Sequence, residues 1–360
     1  MPTSPCMPNK TRQLTASGVK AQEHYLRVGL RLIHFHGTLR AKTLAYALFP
    51  NRTQKAAQAA AFRMLANAAE QEFVEFTDEK KTRYRYYALT RSGAAYLRET
   101  GVVPEAAPTT SLLNKKGGET RSSMAKANHR EWTNLLAIAA NQRGHQSWSE
   151  TSYIHSGFQK DISKRIGHIP DALTRFDGAA GTTAIWHEVE LSRRSSGKDR
   201  TVNKKDSKTG KVRSIKVESG QAKLVKLVNA LRERKVLLDL DGERHTATLM
   251  YHCATPLIAT EVARTIVRAF GNHAVEGARY DHLDVESQKY FKHLAVPLDI
   301  GVVKPGQTVE YLNIFIELLP HRGDIDKVWH DCHLPWEGAG PGIYLDFNEQ
   351  FVRTVGEGVA

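Results

Sequence analysis

Cysteine is scarce in this sequence: three in 360 residues, at Cys6, Cys253 and Cys332. An odd, scattered set supports no disulfide framework and fits a reducing compartment. Long apolar runs are missing as well. No window approaches the roughly 20 residues that a membrane-spanning helix needs, and residues 1–20 lack the apolar stretch of a signal peptide. The expectation is a cytoplasmic protein with no membrane partner. Acidic residues are in deficit, 38 Asp plus Glu against 51 Lys plus Arg, for a formal charge of +13. That surplus favours a polyanionic partner. Absent too are a P-loop, a Rossmann glycine fingerprint and a Gly-x-Ser-x-Gly elbow, so nothing points to the nucleotide-binding or hydrolase classes those motifs mark. No internal repeat is visible.

Apolar residues are plentiful, at 41%, enough for a buried core, and the length suggests two domains. Residues 1–20 are expected to form a disordered tail. From 21 to 35, Tyr25, Val28, Leu32 and Phe35 fall near helical spacing, and Gly37 ends that helix. Thr38 can cap a second helix carrying Leu39, Leu44 and Leu48, which Pro50 breaks. Residues 53–69 are Ala-rich, with Ala57, Ala61, Met64, Leu65 and Ala68 on one side. The period then changes. Phe73, Val74 and Phe76 mark a short strand, residues 78–83 a charged tip, and residues 84–89 an aromatic-rich second strand. Thr90-Arg91-Ser92-Gly93 opens a closing helix.

This order, with the phrase YRYYALTRSGAAYL, resembles the wing and last helix of many bacterial winged-helix proteins. Such a domain over residues 21–102 would send its third helix into the major groove of DNA. Arg52, Gln54, Lys55 and Gln58 lie on the polar side of that helix, with Arg63 further along. Arg and Gln can pair with base edges. Lys80, Lys81 and Arg83 on the wing would neutralise phosphates. The same charges would serve equally as the solvated face of a domain used for protein contacts.

Residues 103–123 hold Pro104, Pro108, Gly117 and Gly118 among Ser, Thr and Lys, and read as a linker. A second domain over 124–360 begins with a helix carrying Trp132, Leu135, Leu136 and Ala139 on one face, ending at Gly144. A strand-like stretch follows over 148–154. Pro170-Asp171 precedes an alternating strand, Asp177-Gly178 marks a turn, and Trp186, Val189 and Leu191 alternate along the next strand. After a basic insertion, GQAKLVKLVNALRER reads as a helix and TATLMYHCAT as a buried strand. A helix over 261–270 and strands over 311–319 and 342–347 extend this core.

Helix, hairpin with PD and then E-x-E, helix and strand, in that order, resemble the PD-(D/E)XK nuclease superfamily. With the winged helix in front, the chain is similar to the replication-relaxation family of plasmid and mobile-element proteins. The expected fold class is therefore α/β: an α+β winged helix followed by a PD-(D/E)XK-like α/β core. The resemblance implies a partner in double-stranded DNA, with other mobile-element or replication proteins as further partners. The function implied is accessory, in plasmid-type replication, mobilisation or transcription control; the alternative is a metal-dependent DNA endonuclease.

The superfamily resemblance also implies that Asp171 and Glu188 ligate a divalent metal, Mg²⁺ or Mn²⁺, and that Glu131 supplies an acidic helix residue. Crowded carboxylates repel unless a cation or protons compensate them, and oxygen ligands suit Mg²⁺. One position departs from the pattern: Glu190 stands where the superfamily places a Lys. Lys223 on the next helix is a candidate replacement, with Lys198 and Arg194 weaker ones. The other reading of these acids is a metal-free core in which Glu188 and Glu190 share a strand face. Residues 191–216 add ten basic residues against Asp199 and Asp206, and Gly197 and Gly210 within them favour a mobile hairpin or loop able to grip phosphates. His330, Cys332 and His333 suggest a metal pair, but no second Cys-x-x-Cys half accompanies them, which argues against zinc. His34 and His36 read as packing or surface residues.

Overall fold

The structure, a computed structural model, describes residues 16–78, 85–103, 127–142, 144–155, 169–178, 181–192, 200–205, 212–217, 220–233, 237–240, 243–271, 292–298, 311–319 and 323. Three helices open the chain: α1 (Ala16–His36), α2 (Ala41–Leu48) and α3 (Gln54–Glu70), with the two-residue strand β1 (Leu39–Arg40) between the first two. Helix α1 reaches back into the stretch expected as a tail. Its end is set by Gly37, whose φ of +80° is cheap only for glycine. Thr53 caps α3 by accepting from the Ala56 N–H at 3.4 Å. The Ala-rich side of α3, with Met64 and Leu65, is buried.

Strands β2 (Val74–Asp78) and β3 (Arg85–Leu89) form an antiparallel hairpin, and β1 pairs β3 to give the order β1-β3-β2. Helix α4 (Arg91–Glu99) follows, capped by Thr90, which accepts from the Gly93 N–H at 3.0 Å. Phe73 stacks on Tyr96, with ring centroids 4.6 Å apart, and fixes α4 to the hairpin. The linker expected over 103–123 and the wing tip with Lys80, Lys81 and Arg83 lie outside the described residues, apart from Val103.

The second half is built on a seven-stranded sheet. Helix α5 (Ala127–Gln142) precedes β4 (Gln146–Ser149), the one-and-a-half-turn helix α6 (Glu150–His155), β5 (Ala172–Gly178) and β6 (Gly181–Glu190). The strand-like reading of 148–154 is thus half right: Glu150 starts a helix, and its N–H donates to the Asp171 carbonyl at 2.9 Å. Next come β7 (Arg200–Lys205) and β8 (Val212–Val217), helix α7 (Gly220–Arg232), β9 (Leu237–Leu240), β10 (Glu243–Cys253), helix α8 (Pro256–Phe270), β11 (Lys292–Pro297) and β12 (Tyr311–Leu318). Helix α8 starts earlier than its apolar spacing predicts, because Thr255 caps it and Pro256 occupies its first turn. Strands run β11-β12-β10-β6-β5-β4, with β9 added on β10. The β6, β10 and β12 strands are mutually parallel; β4, β5 and β6 alternate in direction.

Both faces of the central strands are covered, so these strands read as nearly continuous apolar runs. Ala184, Trp186, Leu249, Tyr251, Ile314 and Ile316 face α7 and α8. Ile185, Val189, Met250 and Phe315 face the other way, into a cluster with Trp132, Leu135 and Leu136 of α5. That cluster runs on without a break into Leu26, Leu30, Ile33, Leu44 and Leu65 of the first half. The two halves share one core. Polar contacts follow the same seam: Asn134 Nδ2 donates to the Thr38 carbonyl at 3.1 Å, Gln142 Nε2 to the Tyr46 carbonyl at 2.6 Å, and His36 Nδ1 lies 3.0 Å from Ser149 Oγ. The architecture is α/β, and no helix among the described residues is long and apolar enough to cross a membrane.

Candidate functional site

Strand β5 begins where β6 ends, and that end of the sheet is where the acidic residues gather. Asp171 is held in three ways. Its N–H donates to the His187 carbonyl at 3.0 Å, its carbonyl accepts from Glu150, and its Oδ2 accepts from the Val189 N–H at 2.7 Å. Glu188 is nearly fully buried and accepts from the Trp186 indole at 2.6 Å. Asp171, Glu188 and Glu190 line one cavity of about 530 Å³. Glu188 and Glu190 share a strand face, as period 2 requires. Helix α7 closes the far side of the cavity, and its Lys223 lines it too. The position that the sequence lacks on β6 is therefore faced by a Lys from the neighbouring helix.

Glu131 is not brought to this cavity. It is buried against the first half of the chain, where its Oε1 accepts from Thr43 Oγ1. The α5 residues at the cavity are Asn128 and His129. Two residues along a helix is a rotation of about 200°, so His129 and Glu131 point to opposite sides. His129 Nε2 sits 3.1 Å from Asp171 Oδ2. Burial alone would lower its pKa, but Asp171, Glu150 and Glu188 outweigh burial and raise it from 6.5 to about 9. At neutral pH His129 is a cation. Sequence reasoning missed it; the one signal was its place two residues before Glu131 on a helix that had to pack by one face.

Could the carboxylates hold a metal? Among the described residues no group of three or more His, Cys, Asp or Glu is placed to do so. Asp171 Oδ2 is already shared by a backbone N–H and an imidazolium. Mg²⁺, however, is commonly bound by one or two carboxylates with waters and substrate phosphates. Asp171 and Glu188 would be the two carboxylates available to such a cation at this cavity. His330, Cys332 and His333 lie outside the described residues, as do Arg194 and Lys198.

A second polar feature crosses the sheet on the α5 side. Ser147 Oγ meets Thr174 Oγ1 at 2.8 Å, Thr174 meets His187 Nε2 at 2.9 Å, His187 Nδ1 meets His252 Nε2 at 2.9 Å, and His252 Nδ1 meets Glu317 Oε1 at 2.5 Å. All five residues are buried. Burial, then the neighbouring His252, push the His187 pKa well below its usual value, so this imidazole is neutral. Each residue in the row meets the next, which ties five strands to one another, while Glu317 Oε2 is buried without a hydrogen-bond partner among the described residues.

In the first half, the start of α3 is open to solvent. Arg52 and Lys55 are exposed, and Gln54 and Gln58 half-buried. The Arg52 guanidinium lies over the Phe49 ring at 4.5 Å, which holds it beside the helix start. Arg63 is also exposed, on the wall of a hollow of about 260 Å³ with Tyr25 and Met64. At the base of the hairpin, Arg85 pairs with Asp78 at 3.0 Å and covers Phe76. His34 and His36 are buried. No family model, curated protein or solved structure matches the chain.

Proposed function

We propose that the protein binds double-stranded DNA through its first half, as an accessory protein in plasmid-type replication, mobilisation or transcription control of a mobile genetic element. One observation carries the reading. The start of α3 buries Ala57 and leaves Lys55 exposed, with Gln54 and Gln58 beside it and exposed Arg52 just ahead of the cap residue Thr53. A helix start of this kind, in a domain ordered as three helices, a hairpin and a closing helix, has the shape and donors that read a major groove. The charge of +13 supports a polyanion as partner. The mobile-element setting rests on the resemblance in motif order. Full-length protein with Arg52, Gln54, Lys55 and Gln58 changed to Ala should lose sequence preference in a binding selection on random duplexes. Equal preference in both proteins overturns the reading.

A second reading, a metal-dependent DNA endonuclease, is favoured by the meeting of Lys223 with Asp171 and Glu188 around one cavity. The order of α5, three antiparallel strands, α7 and the parallel strand β10 is the order expected of a PD-(D/E)XK-like core. In this reading a Mg²⁺ ion at Asp171 and Glu188 would activate water and offset charge on the phosphate. Lys223 would hold the phosphate by charge, and the Trp186 indole would keep the Glu188 carboxylate aimed. Asp171 would be kept in place by the Val189 N–H. Plasmid cleavage in Mg²⁺ or Mn²⁺ that is lost in Lys223→Ala, with binding retained, establishes this reading. No cleavage of any DNA form removes it.

A further inference from the structure

Helix α3 carries one large side chain that its own fold does not use. Phe62 is 52% exposed, on the solvent side of the helix. Other phenylalanines of the first half are covered: Phe73 stacks on Tyr96, and Phe76 lies under the Arg85 guanidinium. Among the described residues Phe62 has neither kind of cover. Its ring keeps water against apolar surface until a partner displaces it.

Helix phase places that ring. Ala57, Ala61, Met64, Leu65 and Ala68 are the buried side of α3. At about 100° per residue, Phe62 stands about 160° around from Met64, about 20° from Lys55 and about 40° from Gln58. It is therefore central on the face whose Lys55 and Gln58 are proposed above to meet base edges. Its neighbours there, Ala59 and Ala66, are exposed and too short to shield it.

The charges around the ring select its occupant. Arg52, Lys55 and Arg63 are exposed, and no acidic residue occurs between Arg52 and Glu70. A second copy docked ring to ring would bring the two Arg63 side chains, each next to its Phe62, close together. Duplex DNA offers what this face needs: phosphates for the cations and, in the major groove, an apolar group in the C5-methyl of thymine.

We infer that Phe62 is a specificity-determining residue that reads thymine in the major groove by packing on its C5-methyl group. The inference rests on the DNA-binding reading of α3 and adds to it a base and the side chain that senses it. The phenyl ring brings no hydrogen-bonding atom to a base edge, so the methyl group is all that it distinguishes. Lys55 and Phe62 are seven residues apart, about 10 Å along the axis. The groove is about 8.5 Å deep, so both reach it only if α3 lies along the groove and does not enter end-on.

Deoxyuridine, which is thymidine without the methyl group, supplies the test. Full-length protein is measured on the duplex it selects from a random pool, with each thymine replaced in turn by deoxyuridine. At one thymine, or two adjacent ones, the replacement should weaken binding about fourfold, the effect of one buried methyl group. Phe62→Ala should bind the thymine and deoxyuridine duplexes equally, and Phe62→Leu, still apolar, should keep the difference. Phe62→Gln takes the place of Phe62→Ala should the latter fold poorly. Equal binding of every deoxyuridine duplex by the wild-type protein, or a difference that survives Phe62→Ala, overturns the inference and leaves the DNA-binding reading in place. So does a selected site of G·C pairs alone, or a dimer in solution that Phe62→Ala dissociates, the ring then being covered by a second copy. A pool that yields no preferred duplex overturns the reading itself, and the inference with it.

Discussion

His129 Nε2 lies 3.1 Å from Asp171 Oδ2, and this pair ties the first turn of α5 to the start of β5. The imidazole is raised from 6.5 to about 9 against its own burial, by Asp171 first and then by Glu150 and Glu188. The folded state therefore holds the proton more tightly than the unfolded chain. The resulting stabilisation is whole below about pH 6.5 and is lost as pH rises through about 9. The melting temperature should fall between pH 7 and 10, and the His129→Asn protein should show a flatter profile across that window. Parallel profiles would mean that the pair adds no stability.

His36 has the opposite sign. Burial lowers its pKa from 6.5 to about 4. The unfolded chain takes up a proton there first, so stability is full above about pH 6.5 and declines as pH falls toward 4. Because His36 meets Ser149 of the second half, acid should loosen the seam between the halves. His36→Gln should melt with less dependence on pH between 6.5 and 4. A profile as steep as that of the parent protein counts against this role.

Thr43 and Glu131 join the halves inside that same seam. A hydrogen bond to a charged group contributes about 1.5–3 kcal/mol, and Thr43→Val removes the donor at nearly constant volume. The variant should lose about that much stability in denaturant titrations. The fragment 1–103, expressed alone, should be less stable still, because Leu30, Ile33 and Leu44 lose the partners that α5 supplies. The whole chain should melt in one transition. Two separated transitions would show that the shared core does not couple the halves.

Gly93 sits under the backbone of Phe73, and a Cβ there would collide with the Phe73 carbonyl oxygen. The backbone cannot yield without moving α4 off the hairpin. Gly93→Ala should cost about 3 kcal/mol or more. At Gly29 the added atom meets the Met64 methyl at 2.5 Å, the end of a flexible side chain. Gly29→Ala should cost less, about 1.5 kcal/mol at most. Equal losses, read by chemical denaturation, would contradict this ordering.

Much of the fold was legible because period and punctuation agreed. The Ala57, Ala61, Met64, Leu65 stripe of α3 and the Gly37 stop each act locally, and each stands where expected. Asp177 and Gly178, expected as a turn, are instead the last two residues of β5, paired with Thr182 and Gly181. Elements fixed by distant partners were harder to read. Glu150 begins a helix because its N–H is drawn to Asp171, twenty-one positions on. The basic insertion reads as a hairpin or loop, and β7 and β8 pair antiparallel as the hairpin reading has it. At the site, Asp171, Glu188 and Lys223 were found from motif order, and all three line the cavity. Glu131 was assigned from residue type, and helix phase sends it to the seam instead. The buried row from Ser147 to Glu317 comes from five strands and had no local signature.

The core common to both halves has a metric consequence. Rigid packing from Leu30 to Phe315 sets the separation of α3 and the acidic cavity by side-chain contact and not by the reach of the chain between them. In the proposed complex with DNA, the protein then acts as a caliper. The number of base pairs from the sequence under α3 to the phosphate beside Asp171 is constant, and lengthening the segment between residues 103 and 127 leaves that offset unchanged.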